Sequence, residues 1–112
     1  MKTDKPIYAP IPARAIGDDK LTAEDFRVLG VIAAHDRLGA NGIGCYASVS
    51  RLAQLTQAHV KSVSRTISSL AQRGYIEINA NPMDKRRHVY RVRYTEMDAA
   101  LMATARKEIG NN

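Results

Sequence analysis

The sequence predicts a mainly α domain closed by one small β-hairpin, and three observations predict it. Apolar residues recur at helical spacing through about 23–38, 49–56, 60–73 and 96–109. Two later stretches, "YIEIN" and "HVYRVRY", alternate with the period of a strand. Gly and Pro mark the joins between these segments. A chain of 112 residues suits one domain that buries roughly two-thirds of its unfolded surface without disulfides or metal.

The first 20 residues hold Pro6, Pro10 and Pro12, so an extended N-terminal arm is expected over 1–20. In "LTAEDFRVLGVIAAHDRLG", Thr22 can cap a helix, Glu24 and Asp25 suit its positive end, and Gly39 stops it. This helix carries two apolar stripes: Phe26, Leu29, Ile32 and Ala33 on one side, Val28, Val31 and Leu38, with His35 between, on the other. A small domain usually covers one such face, so the second is expected to pack under the arm or against another protomer. "GANGIGCY" is turn-rich, with a short strand near Ile43 to Tyr46.

Ser48 can cap a second helix at 49–56, with Val49, Leu52, Ala53 and Leu55 facing inward. After "TQAH" a third helix runs over about 60–73 and is closed by Gly74. The break between these two helices is too short for a long antiparallel hairpin and fits a helix-turn-helix. In the strands that follow, Ile76 and Ile78 should face inward, and Tyr90, Val92 and Tyr94 should share one face with Arg91 and Arg93 on the other. The connecting "ANPMDKRR" makes a basic loop tip. Thr95 caps a last helix with a stripe of Met97, Ala100, Leu101 and Ala105.

Charge divides unevenly along this plan. Residues 1–50 hold six cations and six carboxylates, 51–93 hold nine cations against Glu77 and Asp84, and 94–112 carry a net −1. The whole excess of the +6 chain therefore lies in one central block, as expected of a surface that meets a polyanion. The forty residues 37–76 contain no Asp or Glu. Within them, a helical projection puts Val60, Val63, Ile67 and Leu70 on one stripe, with Lys61, Arg65, Ser68 and Gln72 opposite, flanked by Ser62 and Ser69.

Serine is a middling helix former, so stability alone does not select such a face. Major-groove recognition does: Arg and Lys read guanine, Gln reads adenine, Ser reads either, and a carboxylate would repel the flanking phosphates.

"LAQLTQAHVKSVSRTISSLAQRGYI", residues 52–76, resembles the winged helix-turn-helix of bacterial transcription regulators. The resemblance is carried by "LA" and Leu55, by Val63, Ser64 and Arg65, and by the exit at Leu70, Gly74, Tyr75 and Ile76. "NPMDKRRHVYRVRYTEMD" is similar to the wing of the multiple-antibiotic-resistance regulator (MarR) group, with Asp84 and Arg86 matching its Asp-x-Arg and Thr95 opening the next helix. The resemblance covers about residues 21–101.

It implies a three-helix core, a β wing and a C-terminal helix, with a recognition helix at about 60–73 in the major groove and a wing at 80–87 at the minor groove. It also implies groove contacts from Lys61, Ser62, Arg65 and Ser68, a wing contact from Arg86, and orientation of that arginine by Asp84. Gln57 departs from the glycine common in the turn, and the chain is shorter than typical MarR proteins, which dimerise through long terminal helices. The arrangement of arm, helix and helix-turn-helix is also similar to DNA-binding domains of phage and plasmid replication initiators.

The expected organisation is thus an arm (1–20), a winged helix-turn-helix domain (21–94) and a C-terminal helix (95–112) that serves dimerisation. The expected DNA-binding set is Ser48, His59, Lys61, Ser62, Arg65, Ser68, Ser69, Gln72, Lys85, Arg86 and Arg87. The expected homodimer interface is Val28, Val31, His35, Leu38, Met97 and Leu101. His35, His59 and His88 share no metal-ligand spacing, and Cys45 is expected as a small buried hydrophobe.

No phosphate-cradling glycine loop, nucleophile elbow or spaced carboxylate pair is present, so neither an enzyme nor a bound cofactor or metal is expected. No apolar run approaches the roughly 20 residues that span a bilayer, and the N-terminus lacks the apolar centre of a secretory signal. The expectation is a cytoplasmic bacterial or phage protein that binds double-stranded DNA as a transcriptional regulator. A replication-initiation role is the alternative, and a protein-docking winged helix is the alternative of another class.

Overall fold

The four expected helices and the hairpin all form in the computed structural model, which describes residues 8–110. A short α1 (Ala13–Ile16) comes first, then α2 (Ala23–Asp36), a 3-10 turn (Arg37–Gly39), α3 (Val49–Thr56), α4 (Val60–Gln72), β1 (Ile76–Asn81), β2 (Asp84–Val92) and α5 (Glu96–Gly110). Residues 1–7 of the expected arm and 111–112 at the end of the last segment lie outside the described residues.

Thr22 opens α2 with a capping box: its Oγ1 accepts from the Asp25 N–H at 3.0 Å, and Asp25 Oδ2 accepts from the Thr22 N–H at 2.9 Å. The helix ends at Asp36, three residues before the expected stop at Gly39. Arg37 (φ 49°) and Leu38 (φ 60°) both turn left-handed there, at about 1–2 kcal/mol per residue. The anchor is Asp36, which is 1% exposed, accepts from the Val92 N–H at 3.0 Å and faces Arg91 Nε at 3.6 Å.

With Asp36 held under β2, the chain turns sharply and brings Cys45 alongside Tyr90, where two backbone hydrogen bonds of 2.8 and 2.9 Å form an isolated bridge. Gly44 is required at that approach. Its φ is +109°, and a Cβ there would lie 2.6 Å from Arg91 Cδ and 2.8 Å from the Tyr90 carbonyl oxygen.

Ser48 Oγ accepts from the Arg51 N–H at 3.0 Å to start α3. Leu52, Ala53 and Thr56 turn inward, while Leu55, expected inside, is 41% exposed. Thr56 takes the inner position because its hydroxyl is satisfied by the Leu52 carbonyl at 2.8 Å. Gln57 adopts the left-handed conformation (φ 57°, ψ 44°) that glycine would supply, and its N–H closes α3 onto the carbonyls of Ala53 and Gln54. α4 then buries Val63, Thr66, Ile67 and Leu70. Val60, expected on that stripe, is 48% exposed, because at 100° per residue it lies at the edge of the arc these four define.

The main core joins Val28, Leu29, Ile32 and Ala33 of α2 to Leu52, Val63, Ile67, Leu70, Ile76 and Tyr90. Val28 therefore belongs to the interior and not to a second, uncovered stripe.

β1 and β2 pair antiparallel from Ile76 with Val92 to Ala80 with His88. Ile78, expected inside, is 39% exposed, and Tyr94, past the end of β2, is 40% exposed with its hydroxyl donating to the Pro10 carbonyl. Strict alternation also fails at Val89, which is buried beside Tyr90. At the tip the register jumps so that Asn81 pairs with Asp84, leaving Lys85, Arg86 and Arg87 without cross-strand partners. The expected basic loop is thus a tight turn at Pro82 and Met83, followed by a bulged, cation-bearing strand.

Thr95 and Asp98 cap α5 reciprocally, at 2.8 and 3.2 Å. The expected apolar stripe of α5 does not face inward: Met97 and Leu101 are 63% and 46% exposed, and Asp98 is the helix's buried residue among those described. The reason lies in the N-terminal segment, which is not wholly extended. Arg14 of α1 gives its backbone N–H to Asp98 Oδ1 at 2.8 Å and pairs its guanidinium with Asp98 Oδ2. The same guanidinium donates to the Gly74 carbonyl at 2.8 Å and lies 4.5 Å over the Tyr75 ring. One arginine therefore ties α5 and α1 to the exit of α4.

Candidate nucleic-acid interface

The buried side of α4 fixes what its other side must show. With Val63, Thr66, Ile67 and Leu70 inside, Lys61, Ser64, Arg65, Ser68 and Gln72 are exposed together. This is a row of donors and short side chains along one helix face, able to approach base edges closely. Ser64 belongs to the row by exposure, although it was not among the residues expected to contact DNA.

Ser62 and Ser69 are half-buried and already engaged. Ser62 Oγ donates to Glu24 Oε2, and Ser69 Oγ accepts from Arg73 Nε at 3.4 Å. Thr66 Oγ1 donates to the same Glu24 oxygen at 3.0 Å. These two hydroxyls, Ser62 first, together with the charges of Arg65 and Arg27, hold the Glu24 carboxyl below its usual range. Glu24, assigned by sequence only to the start of α2, thus stands against the flank of α4.

Ser48 is exposed at the mouth of α3, where its oxygen accepts the capping bond and its O–H remains free to donate. His59 precedes α4 with no side-chain cap bond and an exposed ring. On the wing, Arg86 donates to Asp84 Oδ1 from Nε at 3.2 Å and from its backbone N–H at 3.1 Å, while Arg87 Nε lies 3.9 Å from Asp84 Oδ2. The Arg86 side-chain bond above all, then its backbone N–H, lowers the Asp84 pKa. The cations stay available to solvent, with Arg86 91% exposed and Arg87 68%.

A notch of about 210 Å³ brings Ser48 and Arg87 together, with Tyr46 and His88 beside them. Among the described residues, no hydrogen bond or ion pair joins the wing cations to the outer face of α4.

The family model described as "Helix-turn-helix domain" matches residues 19–76, just over half of the chain. The chain belongs to this family. Its helix-turn-helix is α3, the Gln57 turn and α4, and β1 with β2 makes it winged. The fold is similar to that of MepR of S. aureus. A point mutant of MepR matches at 17% identity and a TM-score of 0.57, with 88% of this chain and 65% of that chain covered. MepR bound to ethidium bromide matches at 19% identity and a TM-score of 0.56, over 88% and 66%. A cysteine-to-serine mutant of E. coli MarR, complexed with operator DNA, matches at 25% identity and a TM-score of 0.51, over 81% and 57%. The chain thus spans less than two-thirds of the length of these structures. No curated protein matches it.

Around the helix-turn-helix domain, the residues expected at a dimer interface do not form one patch. Val28 is fully buried in its own core. Val31 and His35 line an open groove of about 880 Å³ with Phe26 and Leu55. Leu38 lines another of about 700 Å³ with Ile16 and Met102, and Met97 and Leu101 line neither.

Cys45 is fully buried, and that burial pushes its thiol up to about 11, which disfavours the thiolate at neutral pH. Among the described residues, no group of three or more His, Cys, Asp and Glu is placed to hold a metal ion, and no helix is long and apolar enough to cross a membrane.

Proposed function

We propose that this helix-turn-helix chain binds double-stranded DNA sequence-specifically and regulates transcription by occupying an operator. The observation that carries the reading is the outer face of α4, where Lys61, Arg65, Ser68 and Gln72 stand exposed together with no carboxylate among them. In this reading α4 lies in the major groove, with Lys61 and Arg65 at base edges. Ser48, His59, Ser69, Lys85 and Arg87 hold the backbone, as does Arg86, which Asp84 steadies for the phosphates at the minor groove, while Ser62, expected as a contact from sequence, gives its hydrogen to Glu24 instead. Repression follows from excluding polymerase.

The fold shared with the MarR–operator complex supports this placement. A docking module would present large apolar side chains on the same face, and the exposed row has none.

A second copy is part of the proposal, because half-sites on a duplex are matched by a two-fold protein. Exposed Leu38, Met97 and Leu101 supply apolar surface for it. Light scattering at tens of micromolar should return twice the 12.3 kDa chain mass, and a monomer mass dismisses this part.

For the DNA surface, Lys61→Ala and Arg65→Ala should each cost about 1–3 kcal/mol and relax preference at one base position. Gel-shift titrations in which both bind like wild type overturn the assignment. Sequencing of bound fragments separates promoters from a replication origin, and so separates regulation from replication initiation. Expression of the chain in the cytoplasm, where the duplex is, belongs to the same reading.

A further inference from the structure

The acid-free window of the sequence is not acid-free in space. Glu24, thirteen residues before that window opens, is brought by the packing of α2 on α4 to the flank of the helix that carries Lys61 and Arg65. Two hydroxyls hold its Oε2 there, and its Oε1 has no hydrogen-bond partner among the described residues. Ser62 and Thr66 thus spend their donors on fixing a carboxylate beside a surface built for a polyanion.

A stabilising role alone gives a weak account of this choice, since a glutamine would accept the same two hydrogen bonds without bringing a charge. We infer that Glu24 is a specificity-determining residue, whose fixed charge opposes phosphate and holds the Arg65 guanidinium back from the DNA backbone, so that it is spent on a base edge.

The physical basis is the difference between the two modes of binding. Non-specific binding draws almost entirely on the attraction of cations for phosphates, whereas specific binding adds base contacts that the charge of Glu24 does not oppose. A phosphate penalty common to both modes leaves their ratio unchanged, so the discrimination comes from Arg65: held off phosphate by Glu24, it gains a partner only where a base edge supplies one. Screening confines the effect to groups within roughly 8–10 Å at ordinary salt, and Arg65 is near enough for its charge to act on the Glu24 carboxyl. The inference rests on the DNA-binding reading and names the residue that sets its discrimination.

The test is Glu24→Gln, which keeps an acceptor for Ser62 and Thr66 and removes only the charge. Fluorescence anisotropy on the full chain would compare a selected binding sequence with a random duplex of equal length. We expect affinity for the random duplex to rise by about fivefold, from the loss of one nearby like charge, and affinity for the selected sequence to rise less, so that the ratio falls. In an Arg65→Ala background the change in ratio should shrink.

Glu24→Ala, which leaves both hydroxyls to water, is the second variant and carries the same expectation if glutamine impairs folding. A wild type that ignores both duplexes overturns the functional reading and this inference with it. A wild type that discriminates, beside variants that fold and discriminate equally well, overturns the inference alone.

Discussion

Replacing Asp98 with alanine should loosen the C-terminal helix from the rest of the domain, and the structure sets the size of the loss. The substitution removes the Asp98 half of the capping box that opens α5, the acceptor of the Thr95 N–H, while Thr95 Oγ1 still accepts the N–H of residue 98, a loss of about 0.5 kcal/mol. It also strips Arg14 of a backbone and a side-chain acceptor at a carboxylate that is 4% exposed. A fully buried pair broken on one side costs about 3–5 kcal/mol. Here the Arg14 side chain is 19% exposed and keeps the Gly74 carbonyl, so water and backbone recover part of that.

About 2–3 kcal/mol in total is expected, a large share of the roughly 5–15 kcal/mol that holds a domain of this kind together. In urea, monitored by circular dichroism, the midpoint should fall with the slope unchanged. A variant within about 0.5 kcal/mol of wild type refutes the account of Arg14 as a tie between α1, α5 and the α4 exit.

The pH dependence gives this prediction a sign. Burial by itself would raise the Asp98 pKa, but the backbone N–H groups of Arg14 and Thr95 and the Arg14 charge outweigh it, and the net direction is down. A carboxyl whose folded pKa lies below its unfolded value, about 3.9, contributes stability that is complete above that unfolded value. The contribution fades as pH falls through the folded pKa. The gap between wild type and Asp98→Ala should therefore be widest near neutrality and narrow in acid below about pH 4. A gap that persists unchanged into acid would mean that the ionised form contributes nothing.

Gln57→Gly should stabilise the chain by about 0.5–1 kcal/mol, because glycine meets the left-handed turn without the Cβ penalty and loses only part of that gain to unfolded-state entropy; a shift of the denaturation midpoint to higher urea at equal slope is the check. Arg86→Ala should weaken binding to all duplexes alike and flatten the slope of log K against log[salt] by about one unit. A loss confined to one sequence would move Arg86 from the backbone to a base edge. With Asp84→Ala, the Arg86 side chain loses the partner it has among the described residues, and binding should weaken less than in Arg86→Ala, since the cation remains.

The features legible in the sequence are those written in local chemistry. Thr22, Ser48 and Thr95 each announced a helix start, and each hydroxyl accepts the expected N–H. The outer face of α4 was legible because a 3.6-residue period fixes opposite sides without knowledge of the neighbours. What failed depended on distant partners. Leu55 and Ile78 have the right periodicity, but nothing in the described structure covers them enough to bury them, and periodicity cannot report how far a core extends. Val28 went the other way, since α3, α4 and the hairpin together surround more of α2 than one stripe. Arg14 sat in a proline-marked segment with no local sign that Asp98, eighty-four residues on, would be its acceptor.

The same distinction governs how charge along a chain translates into a binding surface. A window count of carboxylates measures what neighbours in sequence contribute, and over 37–76 that count is zero. The folded surface adds whatever packing delivers from elsewhere, and here α2 delivers Glu24 to the flank of α4 while the wing delivers Asp84 to Arg86 and Arg87. Both carboxylates are held by donors, not left loose: Ser62 and Thr66 hold Glu24, and Arg86 and Arg87 stand against Asp84. An interface of this kind does not simply maximise positive charge. On the DNA-binding reading proposed above, the fixed carboxylate beside Arg86 and Arg87 lowers the reward for arbitrary phosphate contact, as Glu24 does for Arg65 in the inference drawn from it, and leaves geometry to decide which duplex fits.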